Sequence, residues 1–254
     1  MAKIFRKIRQ QLISEKKVPK YLAYAIGEIV LVVIGILIAL AINNSSENSA
    51  LKKKEQIYLK GLKSEFETSK LKLNVLIREN KQNYNGAKQL LTYIGNPDEQ
   101  PTEKQFSELI FSTFSSDINF NPNNSFLNEM INSGSLKDIS NKELRLELTN
   151  WLSTLEGIYK QESELEIQRE EALDVFRTNE NSLRTVLSHT SIYEELAIPK
   201  ATNTFSNLKL LNSVEFENKL LMFILTNHAT EEAHYIPLQQ KLDVIIKLIE
   251  AEIK

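Results

Sequence analysis

Near its N-terminus the chain changes sharply from a basic to an apolar pattern. Residues 21–42 form an unbroken apolar stretch, YLAYAIGEIVLVVIGILIALAI, which carries a single charged residue, Glu28. As an α-helix, a segment of this length spans roughly 30 Å, which matches the hydrocarbon thickness of a bilayer. The pattern therefore predicts one transmembrane helix over residues 21–43.

Beyond the apolar stretch, hydrophobic residues recur every three to four positions, with lysines and glutamates between them. This spacing is typical of amphipathic helices, and it extends over residues 51–94, 141–178 and 213–254. Three such helices would bury their apolar faces against one another. The sequence therefore predicts an all-α protein: one N-terminal transmembrane helix followed by an elongated antiparallel bundle of about three long helices, with one extracytoplasmic domain over residues 44–254.

Local signals place the ends of these helices. The polar run at 43–49 predicts an exit from the membrane before the bundle, and Gly95 followed by Pro97 predicts the end of the first bundle helix. Two pairs have the spacing of a capping box: Thr102 with Gln105, and Ser140 with Glu143. Further expected features are a kink at Gly86 and the polar residues 80–85, a short helix over 126–131 ended by Gly134, another over 181–196, and a kink at Pro237.

The distribution of charge predicts the orientation in the membrane. Residues 1–20 contain seven lysines and arginines against one acid, Glu15, whereas only four lysines follow within 20 residues of the apolar stretch. Because basic flanks stay in the cytoplasm, we expect a cytoplasmic N-terminus and a periplasmic bundle at a bacterial inner membrane. The alternative is a signal peptide cleaved after Ala39-Leu40-Ala41, but its apolar core would exceed the usual length of roughly 7–15 residues.

The basic leader, residues 1–20, leaves two interpretations open. Its apolar residues have helical spacing, which is typical of a helix lying on the anionic lipids of the inner leaflet. Alternatively, the leader serves only to orient the span and has no structure of its own. The apolar residues concerned are Ile4, Phe5, Ile8, Leu12 and Ile13.

The N-terminal residues also resemble a known family. The runs FRKIRQQLISEKK and KYLAYAIGEIVLVVIGILIALAINN are similar to the start of an uncharacterised single-pass membrane protein family of Bacteroidota. That family has a basic leader, a "YAIGEIxLVVIGILIALxIN" span and a helical extracytoplasmic region. The resemblance is strong over residues 4–44 and faint over 132–145. Ala41 and Ser45 stand where the family usually has Gln and Trp, so an interfacial Trp anchor is missing. The resemblance implies topology and compartment but no activity.

Two features of the span are candidates for function. Glu28 is costly inside a bilayer and normally faces other protein or water, so it favours either assembly or a role as a proton relay. Four small residues, Ala23, Gly27, Gly35 and Ala39, follow a four-residue step that only Leu31 interrupts, and such a stripe lets helix backbones approach closely. We expect a homo-oligomer associated through this stripe. A proton-coupling role would instead require a multi-span membrane partner.

The last helix carries a polar cluster of His228, Glu231, Glu232 and His234. Glu231 and His234 have the Glu-x-x-His spacing of metal-binding bundles, but those bundles use the motif twice and this chain has it once. The glutamates at 162, 164 and 166 are on a facing helix, yet their alternation points them to different faces. We therefore interpret the cluster as a solvated patch or as a polar layer that sets helix register, and we expect no metal or cofactor.

The remaining sequence offers little catalytic material. There is no cysteine, and the chain has three histidines and seven glycines. Phosphate-loop, dinucleotide-binding, nucleophile-elbow and zinc-protease motifs are absent, and the acidic bundle argues against a nucleic-acid partner. The leading hypothesis is a non-enzymatic, membrane-anchored scaffold, assembly or partner-binding protein of the cell envelope. The alternatives are an accessory subunit of a proton-driven complex acting through Glu28, and a ligand-sensing bundle that signals through a partner.

Overall fold

The computed structural model describes residues 18–96, 98–199 and 205–254. Within these ranges the regular structure is entirely helical, without a strand, which confirms the all-α prediction. The chain divides into two compact units, one ending at Gln56 and the other comprising Ile57–Lys254. The apolar residues of the leader, for which two interpretations are open, lie outside the described residues, as does Pro97.

The helices number eight in the described residues, joined by short turns of other helical types. They are α1 (Val18–Gly95), α2 (Glu103–Phe114), α3 (Ser125–Asn132), α4 (Lys142–Leu173), α5 (Leu183–Ser188), α6 (Ile192–Glu195), α7 (Val214–Thr230) and α8 (Ile236–Glu252). Three 3₁₀ turns lie at Ser135–Asp138, Asp174–Arg177 and Leu208–Asn212, and a π-helical turn at Glu231–Tyr235 joins α7 to α8.

Helix α1 continues without a break from the apolar stretch through the polar run at 43–49. The helix ends at Gly95, as the sequence predicts. Asn and Ser lower helix propensity by only about half a kcal/mol each, and residues 36–60 contain neither Gly nor Pro. The polar run therefore changes the surface of the helix without interrupting its hydrogen bonds. Residues 80–85 and Gly86 likewise lie within the continuous helix.

Capping interactions confirm one predicted helix start and correct another. The Thr102 side chain accepts from the Gln105 backbone N–H while the Gln105 side chain accepts from Thr102 N–H, so the first capping box forms. At α4 the predicted Ser140–Glu143 box is replaced by Asn141, whose Oδ1 accepts from Leu144 N–H at 3.0 Å. Asn141 can replace Ser140 as the N-cap because its side-chain carbonyl also accepts from an unpaired N–H of the first helical turn.

Polar contacts set the direction of α7 and α8 against α1. Lys63 pairs with Glu250 at 2.7 Å, and Lys81 pairs with Glu231 at 2.8 Å. The later residue of α1 pairs with the earlier residue of the C-terminal helices, so α7 and α8 run antiparallel to α1. The same holds against α4, where Asn141 bonds Glu252 and Gln161 bonds Thr230.

Helices α1 and α4 therefore run in the same direction within the second unit, and the segment between them returns the chain. We call residues 98–139 the return segment. It runs back along α1, because Gly86 faces Thr113 whereas Gly61 faces Phe126. The core lies between these layers. Its largest fully buried side chains are Trp151, Tyr235, Phe66, Phe106, Phe120, Phe216 and Phe223.

Gly86 marks a close approach of α1 and α2 within the unbroken helix. A Cβ built at Gly86 would overlap the Thr113 hydroxyl and lie 3.2 Å from Thr113 Cβ, which is attached directly to the α2 backbone. The fully buried Thr113 has little room to yield. The glycine is therefore required by packing and not by its backbone angles.

The substitution Gly86→Ala is expected to destabilise the bundle by about 1–2 kcal/mol, because overpacking costs more than the helix propensity gained. Gly157→Ala in α4 is the matched control, since a Cβ there meets nothing within 4 Å, and it should gain up to about 1 kcal/mol. Denaturant unfolding of the full chain in detergent, followed by circular dichroism, measures both. Equal effects of the two substitutions would contradict the packing role of Gly86.

Candidate functional site

The first candidate region is the apolar part of α1. It meets the length and composition of a membrane span, with a mean hydropathy of 2.9 over its most apolar window and none of that window buried by protein. Glu28 is half-buried and lies with Ala25, Ile29, Val32 and Val33 around a shallow depression of about 340 Å³. A carboxylate is thus placed on an otherwise lipid-compatible surface.

The small residues predicted to mediate helix association are exposed on the surface of α1. Ala23, Gly27, Gly35 and Ala39 are all exposed, and a Cβ at either glycine would meet nothing within 4 Å. The stripe therefore presents room for the close approach of a second helix. Association itself stays a prediction.

The predicted polar cluster on the last helices does not converge on one point. Glu231 is 2 % exposed and pairs with Lys81 of α1 at 2.8 Å. His228 is exposed against the edge of the Tyr84 ring, Glu232 is exposed and His234 is half-buried. Within the part of the chain that the structure describes, no three His, Cys, Asp or Glu side chains could share a metal ion.

A π-helical turn, Glu231–Tyr235, directly precedes the segment in which Pro237 predicted a kink. Pro237 is the second residue of α8, so its missing N–H falls where the regular i→i−4 hydrogen-bond pattern is already interrupted. A π-turn takes up one extra residue before the proline, which rotates the following helix relative to the preceding one. Both ends of the turn are buried: Glu231 faces α1, whereas Tyr235 faces α4.

The second candidate region is centred on Glu162 of α4, which is 6 % exposed. Its Oε1 accepts a hydrogen bond from Tyr235 Oη at 2.8 Å and another from Phe120 N–H at 2.9 Å. Its Oε2 is buried and accepts no hydrogen bond from the described residues. Burial raises the pKa of Glu162, and the hydrogen bonds from Tyr235 and Phe120 oppose that shift in part. The pKa of Tyr235 is raised by burial and by the charge of Glu162.

A second buried glutamate binds the return segment in a similar way. Glu65 of α1 is 8 % exposed, and its two oxygens accept from Phe126 N–H at 2.7 Å and Leu127 N–H at 3.2 Å. These are unpaired N–H groups of the first turn of α3, where a negative charge also complements the helix dipole. Asn124, the residue before α3, instead accepts a hydrogen bond from the Trp151 indole.

Sequence reasoning missed Glu65 as a structural residue and set Glu162 aside. The three-to-four-residue spacing of buried residues marks both glutamates in the sequence. Glu65 lies three residues after the buried Leu62, and Glu162 lies four after Ile158 and three before Leu165, all buried. A glutamate at such a position falls on the buried face of its helix, and a buried carboxylate requires donors. Glu164 is exposed and does not line the cleft beside Glu162, as the predicted divergence requires, whereas Glu166, one turn after Glu162, lies on the same face and lines that cleft, so the prediction is wrong for this pair.

An open cleft of about 950 Å³ adjoins Glu162. One wall is the return segment from Asp117 to Asn121, and the other is a face of α4 comprising Tyr159, Glu162, Ser163 and Glu166. No lysine or arginine is among these lining residues. Arg169 approaches the Asp117 carboxylate from α4 with its Nη2 at 3.5 Å. The lining is therefore rich in oxygen acceptors and carries negative charge.

Comparisons with known proteins add a family but no activity. A protein-family model matches residues 28–169, more than half of the 254 residues, and its description is that of a family of unknown function. The match includes the apolar span from Glu28, the return segment and most of α4. No curated protein and no solved structure matches the chain.

The raised pKa of Glu162 gives a pH dependence of stability with a defined sign. Because the folded state holds this proton more tightly than the unfolded state, Glu162 lowers the free energy of unfolding as the pH rises above its ordinary pKa of 4.5. Glu162→Gln keeps an oxygen acceptor and removes this titration. Its stability relative to the wild type should therefore improve as the pH rises from 4.5 toward neutral pH.

Denaturant unfolding across that pH range is the measurement. Glu164→Gln is the control, since it removes a carboxylate from an exposed position of the same helix. Parallel pH profiles for Glu162→Gln and the wild type would contradict the destabilising burial of the Glu162 charge.

Proposed function

Because the chain belongs to the family of unknown function DUF6090, to which no activity is attached, we propose its role from geometry: a non-enzymatic, membrane-anchored helical scaffold that binds partners in the cell envelope. One observation carries this proposal. The apolar window of α1 has a mean hydropathy of 2.9, and none of it is buried by protein. An exposed apolar surface of this extent requires a lipid or protein environment.

The proposal includes a location. With basic residues concentrated before the span, the N-terminus lies in the cytoplasm and residues 44–254 form the periplasmic part of an inner-membrane protein. The resemblance of residues 4–44 to a Bacteroidota family supports this compartment. Membrane lipid is then the immediate partner of the span.

Self-association is the second part of the proposal. The exposed small residues Ala23, Gly27, Gly35 and Ala39 offer a surface on which a second copy of the span packs closely. Packing of this kind would give Glu28 a protein neighbour across the interface, which lowers the cost of placing a carboxyl group in lipid. The mechanism is assembly through the span, with the bundle available to bind other proteins.

A second candidate function is favoured by Glu28 alone. It is the single ionisable residue between residues 25 and 42, and intramembrane carboxyl groups are used as proton relays. In that case the protein is an accessory subunit of a proton-driven complex, and it binds a multi-span membrane protein.

Purification from native membranes in a mild detergent separates the two candidates. A homo-oligomer without companions supports the scaffold and assigns Glu28 to assembly. A multi-span protein present in stoichiometric amount would overturn the stand-alone scaffold. Loss of a phenotype in the Glu28→Gln variant, which keeps shape and removes the charge, would then support proton coupling.

Substitutions within the span test the association surface. Ala39→Leu or Gly35→Leu is expected to weaken self-association about tenfold, because a bulky side chain on the stripe separates the helix backbones. Ala41→Leu is the matched control: Ala41 is also exposed, and it lies about 200° around the helix from Ala39. Fluorescence energy transfer between labelled chains in lipid bilayers measures the dissociation constants. An equal loss for Ala39→Leu and Ala41→Leu would contradict association through the stripe.

A further inference from the structure

We propose that the cleft beside Glu162 binds a small aliphatic polyamine, a flexible organic cation with two or more ammonium groups. The cleft lies between the return segment and α4 and has a volume of about 950 Å³. This site goes beyond the scaffold role, and it does not depend on how the span associates.

The charge of the cleft selects a cation. Its ionisable lining groups are three carboxyl groups, Asp117, Glu162 and Glu166, together with the phenol of Tyr159. Asp117 has Arg169 at 3.5 Å, whereas Glu162 and Glu166 make no ion pair within the described residues. Two acids one helical turn apart repel each other unless a positive charge lies between or beside them.

Glu162 is an independent indication of a ligand. The side chain is more than nine-tenths buried and borders the cleft, and Oε2 accepts no hydrogen bond from the described residues. A buried acceptor without a donor costs free energy, so a donor supplied from the cleft would be strongly favoured. An ammonium group supplies both the missing donor and the opposite charge.

The spacing of the carboxylates favours an extended cation over a metal ion. No three His, Cys, Asp or Glu side chains of the described residues come close enough to share one metal. A polyamine places its charges several bonds apart along a flexible chain, so each ammonium can reach a different carboxylate.

The remaining lining residues suit the same ligand. Tyr159 is 45 % exposed and lies one turn before Glu162 and Ser163, so its ring can cover methylene groups and attract an ammonium.

The test is titration calorimetry of the full chain in nanodiscs of zwitterionic lipid, with spermidine as the probe. Spermidine is expected to bind saturably at one site per chain. Glu162→Gln should weaken it about tenfold or more, because the charge lost there is buried. Glu166→Gln should weaken it about threefold, since Glu166 is exposed.

Glu164→Gln is the matched control, because it removes the same charge from an exposed position of α4 that does not line the cleft. It should leave spermidine affinity within about twofold, the range expected for an exposed charge without contact. Glu166→Gln keeps the test valid if Glu162→Gln fails to fold. An equal loss for Glu164→Gln, or no saturable binding, would overturn the proposal.

Two further probes define the ligand class. Calcium chloride at the same concentration should not compete with spermidine, and competition at a single site would overturn the choice of an organic cation. A trilysine peptide carries the same ammonium chemistry on a protein chain. Weaker binding of trilysine supports the free polyamine, whereas tighter binding would overturn it in favour of a lysine-bearing protein.

Discussion

Every buried backbone N–H of the return segment must find an acceptor, and the bundle meets this constraint with carboxylates from its long helices. Glu65 of α1 accepts the N–H groups of Phe126 and Leu127 in the first turn of α3, and Glu162 of α4 accepts the N–H of Phe120 in the loop before α3. In the opposite sense, Glu103 at the start of α2, within the return segment, accepts the N–H of Asn207 before the last 3₁₀ turn. Because unpaired buried N–H groups are costly, these contacts fix where the irregular segments lie.

The parallel course of α1 and α4 in the second unit follows from that placement. A helix that follows another through a short loop runs antiparallel to it, whereas a return segment brings the next helix back to its starting level. The return segment can pack closely against α1 because Gly86 has no side chain and leaves room for Thr113 of α2. Lys63, Lys81 and Asn141 then pair with α7 and α8 and set their register.

Local sequence signals predicted where the helices begin and end, whereas long-range contacts determine the roles of the buried glutamates. The capping box of Thr102, the stop at Gly95 and the start after Ser213 depend on neighbours within four residues, so a single sequence contains them. Two outcomes depend on small free-energy differences: residues 43–49 are helical rather than irregular, and Asn141 rather than Ser140 caps α4. The roles of Glu65 and Glu162 depend on partners at least 42 positions away, and helical period alone marks only that these side chains face inward.

The two buried glutamates, Glu65 and Glu162, differ in how their carboxylate oxygens are hydrogen-bonded. Glu65 uses both oxygens on backbone N–H groups, as expected of a carboxylate that serves only to hold a helix end. Glu162 uses one oxygen on two donors and leaves the other buried without a donor from the described residues, beside a cleft lined by two more acids. A neutral glutamine would supply the acceptor that Phe120 and Tyr235 need without the cost of burying a charge. The charge at Glu162 is therefore not explained by its two hydrogen bonds, and the proposed cation in the cleft would supply the missing donor.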